Sequence, residues 1–98
     1  MSIKVIGLIR MKDQGAFEIY RSQVVATIEK YKGTLALRGA TDKTYWNELS
    51  CGDFSAYVEL QFPSAEDADR WANSFEYQSI VPIRSEAIDL TLFRVAIS

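Results

Sequence analysis

The 98-residue sequence contains no histidine, a single cysteine (Cys51) and only two prolines. Without histidine the chain cannot build a Ser-His-Asp triad, an imidazole zinc site, a histidine-ligated haem or a histidine proton shuttle. One cysteine excludes an intrachain disulfide and a metal cluster held by several thiolates. We therefore expect no metal and no cofactor, and any chemistry would have to use arginine, carboxylate and tyrosine groups.

Long hydrophobic runs and clusters of positive charge are also missing. The apolar start of the chain is interrupted by Lys4 and Arg10, and it is too short for a signal peptide or a membrane span. These features favour a cytoplasmic protein that does not bind membranes. Eleven Lys and Arg residues face thirteen Asp and Glu residues, and most basic residues are scattered singly. Nucleic acid is not an expected partner, because phosphate binding needs a clustered cationic surface.

What is present suits one globular domain. Its 48% hydrophobic residues are too many for a disordered chain. No repeat, linker or low-complexity segment divides the sequence, so we expect a single domain over residues 1–98.

The clearest predicted element is a helix over Ala16–Lys32. Its apolar residues recur at spacings of three and four, which places them on one helix face. Asp13 is suited to cap the amino end, and Gly33 stands where a left-handed residue would close the carboxyl end. The apolar face consists of Phe17, Tyr20, Val24, Ile28 and Tyr31.

The remaining pattern alternates between strands and helices. Pro63 and Ser64 mark the change from a strand of alternating polarity to a helix with Ala68, Trp71, Ala72 and Phe75 directed inward. Pro82 restarts the next helical segment. The predicted strands are Ile3–Met11, Thr34–Ala40, Lys43–Leu49, Phe54–Phe62 and Ile88–Ile97, and the further helices are Ala65–Phe75 and Glu76–Ala87.

This order predicts an α+β, ferredoxin-like βαββαβ fold, in which an antiparallel sheet carries its helices on one face. The second face of such a sheet normally meets water. Here it includes Ile6 and Leu8 from the first strand and Phe93, Val95 and Ile97 from the last. A second copy of the chain is the simplest cover for this apolar face, so we expect a homodimer.

Several short pieces of the sequence resemble the domain-of-unknown-function 1330 family. The resemblance spans nearly the whole chain and implies a ferredoxin-like fold of the dimeric α/β-barrel superfamily, but it implies no reaction. The chain departs from the family at Gln61, where an acid is usual, and in a longer segment between Arg38 and Gln61. The matching pieces are Asp13 with Phe17 and Tyr20, Gly33, Leu35-x-x-Arg38-Gly39-Ala40, Phe62-Pro63-Ser64, Ala68, Trp71, Ser74-x-Glu76-Tyr77-Gln78, Pro82-x-Arg84 and Asp89.

Polar side chains on the central strands form the candidate site. Tyr57, Glu59 and Gln61 share one strand face, and neighbouring strands carry Arg10, Arg38 and Arg94. If these groups meet on the face away from the helices, they form either a structural ion pair that fixes the dimer or a site for an anion. Tyr77, Gln78 and Arg84 either cap a helix or border a cleft between helix and sheet. We expect Trp71 in the core and Cys51 to be an unreactive thiol.

Three hypotheses follow for function. The first is a homodimer that binds a small organic molecule, anionic if an arginine holds it, in a cleft beside the sheet lined by Arg38, Tyr57, Glu59 and Arg84. The second is a cofactor-independent enzyme for proton transfer or monooxygenation, with Glu59 as general acid or base and Tyr57 orienting the substrate. The third is a structural or interaction module without a ligand.

Overall fold

The fold is a four-stranded antiparallel sheet with its helices on one face. A computed structural model describes residues 2–97. The strand order is β2-β3-β1-β4, which is the ferredoxin-like arrangement predicted from the sequence. Within residues 2–97, no helix is both long and apolar enough to cross a bilayer. The elements are β1 (Ser2–Met11), α1 (Gln14–Lys30), β2 (Thr34–Ala40), β3 (Ala56–Phe62), α2 (Ala65–Ala72), α3 (Phe75–Gln78), α4 (Val81–Ala87) and β4 (Ile88–Ile97).

Helix α1 is capped by Asp13 as predicted, but it begins at Gln14 instead of Ala16 and ends at Lys30 instead of Lys32. The Asp13 carboxylate accepts a hydrogen bond of 3.1 Å from the backbone N–H of Ala16. At the other end, Lys32 takes the left-handed conformation expected of Gly33, with φ at 69°. Gly33 is needed for space instead, because a Cβ there would stand 2.5 Å from Cε1 of Phe62 and 2.7 Å from Cγ2 of Ile28.

The predicted strand Lys43–Leu49 is wrong. Residues 41–55 form an irregular connection between β2 and β3, and β3 starts at Ala56 instead of Phe54. A backbone hydrogen bond of 2.9 Å from Thr41 to Ser55 closes this connection at its base. Its apolar side chains do not pack against the core, so the sequence pattern alone was not sufficient to form a strand. Tyr45, Trp46 and Leu49 are 75%, 81% and 90% exposed.

The predicted helix Ala65–Phe75 is divided in two. Helix α2 ends at Ala72, and the Ser74 hydroxyl then accepts a hydrogen bond from the N–H of Tyr77 to start α3. This second cap turns Phe75 outward, where it is exposed, whereas we predicted it to be inward. The same cap turns Tyr77 inward. Pro82 lies in the first turn of α4, as predicted, where its missing N–H costs no helical hydrogen bond.

Trp71 lies in the core, as predicted, and is 2% exposed. Its ring lies 5.6 Å from the ring of Phe62 on β3 and 4.4 Å from the ring of Tyr77 on α3. Its indole N–H donates a hydrogen bond of 3.1 Å to the Thr27 hydroxyl on α1, so the buried polar atom is satisfied. One side chain therefore joins α1, α2, α3 and the sheet.

The strand register separates two faces of the sheet. Ile3, Val5, Gly7 and Ile9 of β1 face the helices, and the residues between them face away. We call the second surface the outer face. The pairing of Ile6 with Phe93 confirms that β1 and β4 both place apolar side chains there. The apolar residues of the outer face are Ile6, Leu8, Leu37, Phe93, Val95 and Ile97.

We expect Gly33→Ala to lower the free energy of unfolding by about 1–3 kcal/mol, because the added methyl group overpacks the contact between Phe62 and Ile28. Urea unfolding monitored by circular dichroism measures the loss. Gly15→Ala is the matched control, since a Cβ at Gly15 meets only an ordinary contact of 3.4 Å to the Asp13 carboxylate. Equal stability of the two variants would show that Gly33 is not required for close packing.

Candidate functional site

A cavity of about 100 Å³ lies between α1 and the helix-facing side of the sheet. Its wall is almost entirely apolar, and several of its side chains stay partly exposed although they face the helices. The cavity is therefore open to solvent. Representative lining residues are Phe17 and Val24 from α1, Ala56 and Val58 from β3, and Leu90 and Leu92 from β4.

Gly7 shapes the floor of the cavity. A Cβ on Gly7 would stand 2.6 Å from Cγ1 of Val58 and 3.3 Å from Cδ1 of Leu92. These side chains occupy the space that a larger residue at position 7 would fill. Because position 7 carries no side chain, Val58 and Leu92 lie in its place on the sheet, and space remains between them and α1.

One end of the cavity is polar. The hydroxyl groups of Tyr20 and Tyr77, both lining residues, lie 3.0 Å apart within hydrogen-bond distance. Nη1 of Arg84 donates a hydrogen bond of 2.9 Å to the Tyr77 hydroxyl, and its guanidinium lies 5.7 Å from the centre of the Tyr77 ring. We call Tyr20, Tyr77 and Arg84 the tyrosine cluster.

The surroundings keep the Tyr20 hydroxyl group protonated. Burial raises the pKa of Tyr20 far above its ordinary value, and the neighbouring Tyr77 adds to this shift, whereas the charge of Arg84 opposes it. Both rings are buried, at 8% exposure for Tyr20 and 3% for Tyr77. At neutral pH Tyr20 thus offers a phenol hydroxyl group, which is a hydrogen-bond donor, in the wall of an apolar cavity.

Arg38 lies at the opening of the cavity. The register pairs Arg38 with Val58 and so places it on the helix-facing side of β2, where it is exposed. Within residues 2–97, no carboxylate oxygen lies within 4 Å of its guanidinium. Arg21, the other arginine at the cavity, is paired with Glu18 at 3.3 Å. Arg38 is thus available to an anionic group.

Glu59 and Tyr57 form a separate cluster on the outer face. Lys4 Nζ lies 3.1 Å from one Glu59 carboxylate oxygen, and the Tyr57 hydroxyl donates a hydrogen bond of 2.8 Å to the other. The hydrogen bond from Tyr57 and then that from Lys4 lower the pKa of Glu59. A carboxylate held in its ionised form on both oxygens suits an ion pair better than a general acid.

The structure divides the predicted site residues between two faces. Tyr57 and Glu59 come together as expected, but Arg38 lies on the opposite side of the sheet and Arg84 lies in the helix layer behind Tyr77. The other arginines are engaged elsewhere, since Arg10 is paired with Asp89 and Arg94 with Asp69. Of the four predicted residues, Arg38 and Tyr57 both line the cavity, whereas Glu59 and Arg84 do not.

Sequence reasoning missed the pairing of Tyr20 with Tyr77. Both tyrosines were noted, one on the apolar helix face and one at the edge of a cleft, but their contact spans 57 residues of chain. The available signal was chemical. A tyrosine on the buried face of a helix needs a partner for its hydroxyl group, whereas a phenylalanine does not.

Comparisons with known proteins identify a matching family model and solved structures that share this fold. A family model described as a domain of unknown function (DUF1330) matches residues 4–97, whereas no curated protein matches the sequence. A protein of unknown function from Rhodopseudomonas palustris has a TM-score of 0.82 at 16% identity, over 99% of this chain and 82% of that one.

Two other solved structures share the fold at lower identity. SnoaB, a cofactor-independent oxygenase from Streptomyces nogalater, has a TM-score of 0.68 at 7% identity, over 99% of this chain and 93% of that one. A dimeric ferredoxin-like protein of unknown function from Jannaschia has a TM-score of 0.68 at 8% identity, over 99% and 100% of the two chains. At these identities the likeness establishes the fold alone.

We expect Tyr57→Phe to raise the pKa of Glu59 toward its ordinary value, because the Tyr57 hydrogen bond is the largest cause of the lowered pKa. The carboxyl carbon shift of Glu59, followed by NMR across acid pH, measures the change. Tyr31→Phe is the matched control, since the Tyr31 hydroxyl donates to Glu76 instead. A Glu59 midpoint that is the same in wild type and Tyr57→Phe would show that this hydrogen bond does not form.

Proposed function

This chain belongs to the DUF1330 family, and we propose that it binds a small organic molecule in the cavity between α1 and the sheet. The observation that carries the proposal is an apolar, solvent-open cavity bordered by the tyrosine cluster and by Arg38, which has no carboxylate partner within residues 2–97. Ligand sites in proteins typically combine an apolar wall with a few placed polar groups. This cavity also favours a ligand-binding protein over a structural module with a filled interior.

The size and chemistry of the cavity suggest the class of ligand. An apolar cavity of roughly 150 Å³ can hold a benzene molecule. The cavity here is about 100 Å³ and open, so a ring would fill it and a substituent would extend into the opening. An anionic substituent would meet Arg38. Exposed ion pairs contribute only about 0.2–1 kcal/mol, so Arg38 would add selectivity while the apolar contact supplies most of the affinity.

We further propose that the protein is a homodimer of single-domain subunits, joined through the outer face. Its six apolar side chains surround the cluster of Lys4, Tyr57 and Glu59, and a second copy would cover them. The related Jannaschia structure, which shares the fold, is described as dimeric. In this arrangement the outer-face cluster would fix the register of the two sheets, and each subunit would keep its own cavity on the opposite side.

A cofactor-independent enzyme is the second candidate. It is favoured by one observation, the buried tyrosine pair that could hold or move a proton at a bound molecule. SnoaB has this fold and is a cofactor-independent oxygenase. The version of this hypothesis that relies on Glu59 and Tyr57 has weaker support, because both Glu59 oxygens are occupied and Glu59 does not line the cavity, although Tyr57 does.

For ligand binding, we expect 3-phenylpropionate to bind more tightly than its neutral amide, with the ring in the cavity and the carboxylate at Arg38. Arg38→Gln should reduce this preference by about two- to fivefold, the range for an exposed ion pair. Ala56→Leu should weaken binding of both probes, because the larger side chain fills the cavity from its floor. Amide NMR shifts during titration locate the site and measure both affinities.

The control for this test is Ala26→Leu, the same substitution at an exposed position of α1 that does not line the cavity. It should bind both probes as the wild type does. Equal affinities in Ala56→Leu and Ala26→Leu would place the binding site elsewhere.

For the homodimer, we expect Phe93→Asp to convert the protein to a monomer, because a charge buried between two sheets is costly to desolvate. Light scattering after size-exclusion chromatography at micromolar concentration gives the mass directly. Phe75→Asp is the matched control, since Phe75 is 83% exposed on α3, away from the outer face. A monomeric wild type, or a dimer that persists in Phe93→Asp, would contradict the proposed interface.

A further inference from the structure

We propose that the cavity selects molecules whose buried end is an anionic oxygen attached to a small ring, such as a phenolate or a cyclic enolate, and that the tyrosine cluster is the receptor for that oxygen. This inference rests on the proposed function, because it assumes that the cavity is occupied by a ligand. It adds the chemical class of the ligand and its orientation.

The first support is a count of hydroxyl protons. Tyr20 and Tyr77 carry two, and the hydrogen bond between them uses one, whichever residue donates. Arg84 donates to the Tyr77 oxygen and accepts nothing. Within residues 2–97 neither tyrosine hydroxyl group has another hydrogen-bond partner, so the second proton has no protein acceptor. An oxygen that enters the cavity can accept it.

The second support is the charge of Arg84. Arg84 is half-buried as a residue, and within the described chain no carboxylate oxygen lies within 4 Å of its guanidinium. An arginine in a partly desolvated position is usually paired with an acid. Here its hydrogen bond goes to a neutral phenol that lines the cavity. A negative oxygen next to the tyrosine pair would supply the missing countercharge through one intervening hydroxyl group.

The third support is that the cluster is held in place before any ligand arrives. The Tyr77 ring packs 4.4 Å from the ring of Trp71, and its backbone N–H is fixed by the Ser74 cap at 3.0 Å. Tyr20 projects from the middle of the long helix α1 and is buried. Donors fixed in a buried position stabilise negative charge better than mobile ones, because little reorganisation is needed.

The test uses 4-nitrophenol and 4-nitrotoluene, two probes of nearly equal shape that differ in the oxygen. We expect 4-nitrophenol to bind about 10- to 100-fold more tightly, the usual contribution of a hydrogen bond to a charged oxygen. At alkaline pH the free probe is a phenolate, which absorbs visible light, so retained absorbance shows that the probe stays ionised when it binds. Both effects should be lost in Tyr77→Phe and Tyr20→Phe.

Controls separate this inference from the proposed function. Tyr31→Phe removes a phenol hydroxyl outside the cavity and should keep the preference. Affinity for 4-nitrotoluene shows that each variant still has a folded cavity. Equal binding of the two probes to the wild type, or a preference that survives both tyrosine variants, would overturn the inference and leave the cavity as a binding site. If neither probe binds at millimolar concentration, the proposed function fails and the inference fails with it.

Discussion

The hydrogen bond between Tyr20 and Tyr77 links the middle of α1 to α3, and both tyrosines line the cavity beside that link. Two further polar contacts hold the same helix nearer its carboxyl end. Thr27 accepts from Trp71, and Glu76 accepts from Tyr31, while Lys30 and Tyr31 together lower the pKa of Glu76 to about 2. These bonds hold one side of α1 against α2 and α3. The space beneath it can remain open.

The sheet separates two tasks that would otherwise compete for the same side chains. Alternation along β3 directs Val58 and Leu60 to the cavity side, and directs Tyr57 and Glu59 to the outer face. The cavity side is apolar with its polar groups at the ends, whereas the outer face is apolar around a central ion pair. A side chain introduced on one face therefore makes few direct contacts with side chains on the other face. In the proposed dimer, assembly and ligand binding would therefore be separable by mutation.

Much of the fold followed from local patterns, and the errors occurred where tertiary contacts decided the outcome. The 3.6-residue period of α1 and the alternation of β3 are local, and both were predicted. The role of Gly33 was not predicted, because the aromatic ring that lies against it belongs to Phe62, which is distant in the sequence. The strand predicted at Lys43–Leu49 failed for a related reason, since alternating residues form a strand only beside a partner. For the candidate site, residue types were predictable, but which face Arg38 occupies depended on a register shift between Leu35 and Leu37.

The chemistry of the tyrosine cluster is difficult to explain by packing alone. Replacing both partners of a buried hydrogen bond by apolar groups of the same shape is often nearly neutral for stability. Two phenylalanines could therefore fill the positions of Tyr20 and Tyr77 while keeping the contact of the Tyr77 ring with Trp71. That exchange would leave the half-buried Arg84 with neither a phenol nor a carboxylate to accept its hydrogen bond. Burying such a charged group without a hydrogen-bond acceptor is costly. The arginine and the two hydroxyl groups thus act as one unit, and the proposed ligand would use both the second hydroxyl proton and the positive charge of this unit.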